Sequence, residues 1–215
     1  MRTLYHFRQS PFSRRTRLAL AHKGLDVVLR DARENQEWLV EARRLVPLKT
    51  VPVFVDGEHA LGDSNAIAHW LERAYPDAPP LWPEDADGVF AAYETTTLVD
   101  LALTTATDLG TRYFALRDHP AWGQVTGEPL GRARLALDAL AARASSLGRS
   151  TIAKSGWSAA DMWLFTAVMW FEGLPARAPT NANIAQVLTL GLTLPHALSR
   201  WADAHRNRPD VVALG

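Results

Sequence analysis

Thr50-Val51-Pro52-Val53-Phe54-Val55-Asp56-Gly57, with Asp63-Ser64 six residues further on, is the stretch that decides the fold. Val53 to Val55 is a short apolar strand, and Asp56-Gly57 is the strongest short signal for a tight hairpin. Glu58 to Leu61 can then return antiparallel. Asp63-Ser64 opens a helical pattern with Ile67, Trp70, Leu71 and Ala74 on one face. Pro52 lacks an N–H and so belongs at the first position of its strand. The amide and carbonyl of its neighbour are left for another partner. The helix N-terminus nearby offers unpaired N–H groups suited to a carboxylate. One backbone site for an extended peptide and one site for an anion therefore lie close together in sequence.

Upstream, Thr3 to Phe7 reads as a strand and Phe12 to His22 as a helix with Gly24 as its stop. Val27 to Leu29 reads as a second strand and Gln36 to Leu45 as a short helix. The order β-α-β-α-β-β-α predicts a parallel crossover followed by an antiparallel edge. Tyr75 to Pro83 contains four prolines, which no helix accommodates, and it marks a boundary. Beyond it the strand signals vanish. Asp85 to Leu116 predicts one long helix. Leu130 to Leu147 predicts an amphipathic helix with Leu135, Ala139 and Leu147 inward and Arg132, Arg134 and Arg143 outward. Ala159 to Phe171 is apolar almost all round and predicts the buried central helix. Ile184 to Leu190 and His196 to His205 complete an all-α unit. The expected division is 1–76, a linker at 77–84, and 85–215.

Several classes of function are excluded by composition. Twenty-three basic side chains balance twenty-three acidic ones, which gives no electrostatic case for nucleic acid or an anionic membrane. No apolar run approaches the ~18 residues of a membrane span. No cationic segment followed by an apolar run stands at the N-terminus, so no signal peptide is expected, and a cytoplasmic protein is the default. Cysteine is absent, which removes disulfides, thiolate metal ligands and any protein-thiol nucleophile. The seven histidines lack metal-ligand spacing, so no metal is expected. No Gly-x-Ser-x-Gly elbow surrounds Ser10, which argues against a hydrolase serine there.

The motifs together resemble the cytosolic glutathione transferase family over nearly the full length. Tyr5-His6-Phe7 ends the first strand. Ser10-Pro11-Phe12-Ser13 enters a helix bearing Arg15, Arg17, Lys23 and Gly24. Pro47, Lys49, Val51 and Pro52 fit the family's P-x-K-x-V-P spacing, and Asp63 to Ile67 fits its [ED]-S-x-A-I. Ser158 to Asp161 resembles its capping box. The resemblance implies a thioredoxin-like α/β domain joined to an all-α domain, usually as a homodimer. It implies a serine-type enzyme in which Ser10 donates a hydrogen bond to the glutathione thiolate. Glutathione is then a substrate, presented to a hydrophobic electrophile. It also implies a cis Val51–Pro52 peptide whose Val51 backbone meets the cysteinyl unit. Asp63 and Ser64 would hold the γ-glutamyl end and Lys49 the glycyl carboxylate. Phe12, Tyr113 and Phe114 are the expected second-substrate pocket. A plain helix cap remains the competing reading of Ser10, with Ser13 the rival hydroxyl.

Two other functions fit the same motifs. One is a glutathione-dependent cis–trans isomerase of the maleylacetoacetate type, for which Ser10, Ser13, Arg15, Arg17, Lys23-Gly24 and Pro47 to Pro52 speak. Pro11-Phe12 and Asp63 depart from that class. The other is a non-enzymatic interaction module that kept the fold.

Overall fold

A computed structural model describes residues 1–214 of the chain. Its first part is a four-stranded sheet in the order β2-β1-β3-β4. β1 (Arg2–His6) is followed by helix α1 (Pro11–His22), β2 (Val28–Asp31), α2 (Gln36–Leu45), β3 (Val53–Asp56), β4 (His59–Gly62) and α3 (Ser64–Ala74). β1 pairs with β2 in parallel and with β3 antiparallel. The β3–β4 hairpin turns at Gly57, whose φ of 58° is the left-handed conformation that a two-residue turn demands. The second strand lies later than Val27 to Leu29 because it pairs from Thr3↔Val28 to His6↔Asp31. The first strand likewise runs Arg2–His6 rather than Thr3 to Phe7, and Phe7 begins the loop to α1.

Strand alternation sorts the sheet's side chains between two cores. Leu4 and Phe54 are fully buried against Leu18, Ile67 and Leu71 of α1 and α3. Tyr5 and Val53 point the other way, toward Ala42 and Val46 beneath α2. The first core continues without interruption into the helical part through Leu81, Leu103, Trp163 and Trp201. Burying each such side chain contributes roughly 1.5–3 kcal/mol.

The second part is all-helical: α4 (Ala86–Thr107), α5 (Trp122–Leu147), α6 (Ala159–Glu172), α7 (Leu174–Arg177), α8 (Ala182–Thr189), α9 (His196–Asp203) and α10 (Pro209–Val212). The whole is the thioredoxin-like domain plus all-α domain that the motifs imply. The linker is held from both sides. Glu72 accepts from the amides of Leu81 and Trp82 and pairs with Lys23, while Leu81 O accepts from Ala159 N.

Three helix expectations are corrected. The helix from Asp85 ends at Thr107 and gives way to a π turn, Asp108–Arg112, and a 3-10 turn, Phe114–Leu116. Gly110 lies in this turn against α8, where an added Cβ would stand 2.4 Å from the Val187 side chain. The next helix begins at Trp122, not Leu130, and runs through Pro129. The carbonyl that loses its donor at Pro129 is that of Val125, an exposed residue. On this helix Leu135 and Ala139 face solvent. The inward stripe is Ala133, Ala136, Leu137, Leu140 and Ala144, whose small side chains let α5 approach α4 closely. Arg143 is not outward either, since it donates to Ala91 O at 2.9 Å and Thr95 Oγ1 at 2.6 Å.

Helix α6 starts from a buried carboxylate. Asp161 accepts from Ser158 N at 3.0 Å, Ser158 Oγ at 2.8 Å and Ile152 N at 2.7 Å. It is completely buried, and burial pushes its carboxyl up to about 6 against the pull of these donors. A folded-state pKa above the unfolded one contributes stability that is full below about pH 4 and is lost as pH rises through about 6. Asp161→Asn removes this titration. The stability gap between the wild type and Asp161→Asn, measured by urea unfolding, should therefore be wider at pH 4.5 than at pH 7.5. An equal gap at both pH values contradicts the assignment.

Candidate active site

The sheet topology gathers four loops at one end. β1 and β2 are parallel, so Phe7 to Ser10 and Ala32-Arg33 leave on the same side. β3 runs antiparallel to β1, so Val51-Pro52 enter beside the end of β1. Gly62 pairs with Val53, which brings Asp63-Ser64 to that edge as well. Strand pairing alone thus assembles residues that sequence reading picked out from three separate stretches.

Ser10 is the N-cap of α1, with φ −68° and ψ 130°, and Pro11 occupies the first helical position. Its Oγ accepts from Ser13 N at 3.4 Å. Capping uses an oxygen lone pair and leaves the hydroxyl proton free to donate. Ser10 also lines a cavity of about 210 Å³ between the two domains, with Phe7, Gln9, Phe12, Arg33, Trp170 and Arg177 among the other lining residues. Ser13 is fully buried, and its Oγ accepts from Phe7 N at 3.2 Å. It braces the loop from beneath. His6 is buried below the same loop, where burial and then Arg17 hold its imidazole down to about 4 and keep it neutral.

The Val51–Pro52 peptide is cis. Lys49 is exposed and takes a positive φ of 54°, and its amide donates to Val46 O at 3.4 Å. Asp63, with φ 69°, is the N-cap of α3. Its Oδ1 accepts from Asn65 N at 2.9 Å and Ala66 N at 3.0 Å. That leaves Ser64 N–H, the Ser64 hydroxyl proton and the second Asp63 oxygen for a ligand. Ser64 is buried and its Oγ accepts from Arg15 Nε at 2.8 Å.

Arg15 is the residue whose importance sequence reading did not draw out. It is 1% exposed and also pairs with Asp100 of α4. Asp100 accepts from Asn65 Nδ2 at 2.7 Å, and Asn65 Oδ1 accepts from Trp163 Nε1 at 2.7 Å. The Arg15 guanidinium lies over the rings of Phe12 and Trp163, at 5.0 and 4.8 Å. Burial pulls its pKa below the usual arginine value, against the opposing pull of Asp100. The available signal was position: Arg15 precedes Leu18 and Ala19 by three and four residues, on the buried stripe.

The expected second-substrate residues separate. Phe12 lines the Ser10 cavity, but Tyr113 and Phe114 do not. The π turn after Thr107 carries them away. Tyr113 lines a different, apolar cavity of about 500 Å³ with Leu109, Leu116, Trp122 and Val125. Phe114 is buried beneath the Arg117 guanidinium. The Ser10 cavity is more polar than expected. It carries Arg33 and Arg177, the amides Gln9, Asn181 and Asn183, the hydroxyls Thr107 and Thr111, and no carboxylate among the described residues. Arg177 spends Nε on Gly173 O and Nη2 on Trp170 O, which leaves Nη1 uncommitted among the described residues. Arg33 lies over the Phe7 ring at 4.8 Å. No sequence pattern joins these positions, because they meet only through the fold.

Residues 4–80 match the model of the glutathione S-transferase N-terminal domain. Glutathione S-transferase Z1 of Arabidopsis thaliana is 34% identical over 98 residues, covering 45% of this chain and 44% of that protein. A probable maleylacetoacetate isomerase of Vibrio cholerae is 38% identical over 85 residues, covering 38% and 39%. The chain thus spans less than half the length of these curated relatives. A crystal structure of a glutathione S-transferase from Methylobacterium radiotolerans in complex with glutathione sulfonate matches 99% of this chain and 93% of its own, at 26% identity and a TM-score of 0.71. Residues 4–80 thus carry a glutathione S-transferase N-terminal domain, and the chain as a whole shares the two-domain fold of a glutathione S-transferase end to end.

Proposed function

We propose that the chain is a serine-type glutathione transferase built as 1–76 and 85–215 with a linker at 77–84. The single observation that supports this most is the Ser10 hydroxyl. It stands at the N-terminus of α1 with its proton uncommitted among the described residues, in the cavity between the domains. A free thiol titrates near ~8.5. A hydroxyl donor and the positive end of a helix both favour its thiolate and lower that value. The thiolate then attacks the electrophile directly, and no protein nucleophile is needed. Ser13 is fully buried and is not among the residues lining the cavity, so its hydroxyl is the poorer candidate.

In this reading the Val51 backbone pairs with the cysteinyl unit of glutathione in strand fashion. Ser64 N–H and O–H hold the γ-glutamyl carboxylate, and the free Asp63 oxygen faces the ammonium group. Lys49 meets the glycyl carboxylate as an exposed, screened contact. The electrophile rests its apolar body on Phe12, Pro11 and Trp170. The active species is a cytoplasmic homodimer. Arg33 and Arg177 favour a second reading, a glutathione-dependent isomerase of the maleylacetoacetate type. Two cations without a carboxylate in the same cavity suit a substrate that carries one.

Ser10→Ala should raise the pKa of bound glutathione and slow conjugation at neutral pH by ~10²–10³. Steady-state kinetics across pH 5.5–9 checks this. Full activity in Ser10→Ala, with loss in Ser13→Ala, contradicts the assignment. Ser64→Ala should instead weaken glutathione binding about tenfold, as loss of a charge-assisted hydrogen bond does, with little change in the thiol's pKa. Calorimetric titration reads the affinity, and an unchanged value removes Ser64 from the site.

A further inference from the structure

Arg17 lies on the second turn of α1, behind Ser10, and is only 8% exposed. No carboxylate among the described residues pairs with it. Asp31, the acid whose charge acts on it, spends its oxygens on Arg8 N at 3.1 Å and Arg33 N at 3.0 Å. Burial and the neighbouring Arg14 and Arg8 bring the guanidinium down to about 10. Its Nε has no acceptor among the described residues. A buried cation without a counter-charge is costly, and an apolar side chain of similar size fills such a space at less cost. What an apolar side chain lacks is the forked pair of donors. Nη2 donates to Arg8 O at 3.0 Å, and Nη1 donates to Leu214 O at 3.2 Å.

These two carbonyls belong to different parts of the chain. Arg8 O sits in the loop that presents Ser10. The Arg8 amide is fixed by Asp31 and its carbonyl by Arg17, and Ser10 N donates to Phe7 O at 3.0 Å. The orientation of the peptide that leads into Gln9 and Ser10 is thereby set. Leu214 O sits in the C-terminal segment, which docks on α1 through α10. Val211 and Leu214 are buried there, and Asp210 stands 3.5 Å from His22 and 3.4 Å from Arg208.

We propose that Arg17 is a positioning residue that couples docking of the C-terminal segment to the placement of the Ser10 hydroxyl. The inference rests on the reading of Ser10 as the thiolate donor. Arg17 touches no reacting atom. It acts through the Arg8 peptide, and misplacing a catalytic group by about 1 Å can cost ~10²-fold in rate.

The test is spectroscopic titration of the thiolate in the glutathione complex, by its ultraviolet absorbance. The proteins are the wild type, Arg17→Gln, Arg17→Lys, Ser10→Ala and the double variant Arg17→Gln/Ser10→Ala. Arg17→Gln and Arg17→Lys should each raise the bound thiol's pKa by about one unit. Lysine keeps the charge but lacks the planar fork of donors that sets the two carbonyls. In the Ser10→Ala background, Arg17→Gln should add no further shift, as two changes acting through one group do. Val211→Ser loosens the C-terminal segment with Arg17 in place and should shift the pKa the same way, which keeps the test available if Arg17 variants do not fold. A wild-type pKa in Arg17→Lys, or an undiminished shift in the double variant, means the field of the charge acts alone and overturns the proposal. A shift in Ser10→Ala with none in Arg17→Gln or Val211→Ser overturns the coupling but leaves the Ser10 reading standing. No shift in Ser10→Ala removes that reading and this inference together.

Discussion

Within the continuous core that joins the two domains, one buried guanidinium ties their helices together. Arg15 of α1 pairs with Asp100 of α4, donates to Ser64 of α3 and lies on the Trp163 ring of α6. Asn65 closes the network by joining Asp100 to Trp163. A charge this deeply buried is tolerable only when paired and fully hydrogen-bonded. Removing one partner of such a pair typically costs ~3–5 kcal/mol, because the other charge is left alone. The domain arrangement and the orientation of Ser64 are therefore one constraint. Displacing the helical domain strips Arg15 of Asp100 and disturbs the end of the site expected to take the γ-glutamyl group.

The second constraint is the topology of a small mixed sheet. One parallel and two antiparallel pairings send the ends of β1, β2 and β4 and the entrance of β3 to the same edge. The helical domain covers that edge and supplies Trp170, Arg177 and Thr111 to the cavity wall. The first domain thus provides the groups expected to bind glutathione, and the boundary between domains provides the cavity beside them. Polar character in that space comes from both sides, with Arg33 from the sheet domain and Arg177 from the helical one.

Much of this was legible because its signals are local. The Asp56-Gly57 turn, the Ser10-Pro11 cap and the Ser158-Asp161 cap are each decided within a few residues, and each stands where its chemistry placed it. The helix Gln36–Leu45 was readable for the same reason. What failed was decided at a distance. The π turn that ends α4 after Thr107 packs Gly110 against Val187, far along the chain. The inner stripe of α5 is mostly alanine, whose weak hydropathy was outvoted by the exposed Leu135. Arg33, in the loop after β2, and Arg177, at the end of α7, share a cavity only because the two domains meet there. The same break moved Tyr113 and Phe114 out of the pocket expected of them.

The central claim is that this cavity turns glutathione into a thiolate through a hydroxyl at a helix N-terminus. The most direct measurement is the pKa of the thiol in the wild-type glutathione complex, by ultraviolet difference titration against free glutathione. The account predicts a value at least about one unit below the ~8.5 of a free thiol. Saturable binding with an unperturbed thiol pKa contradicts it.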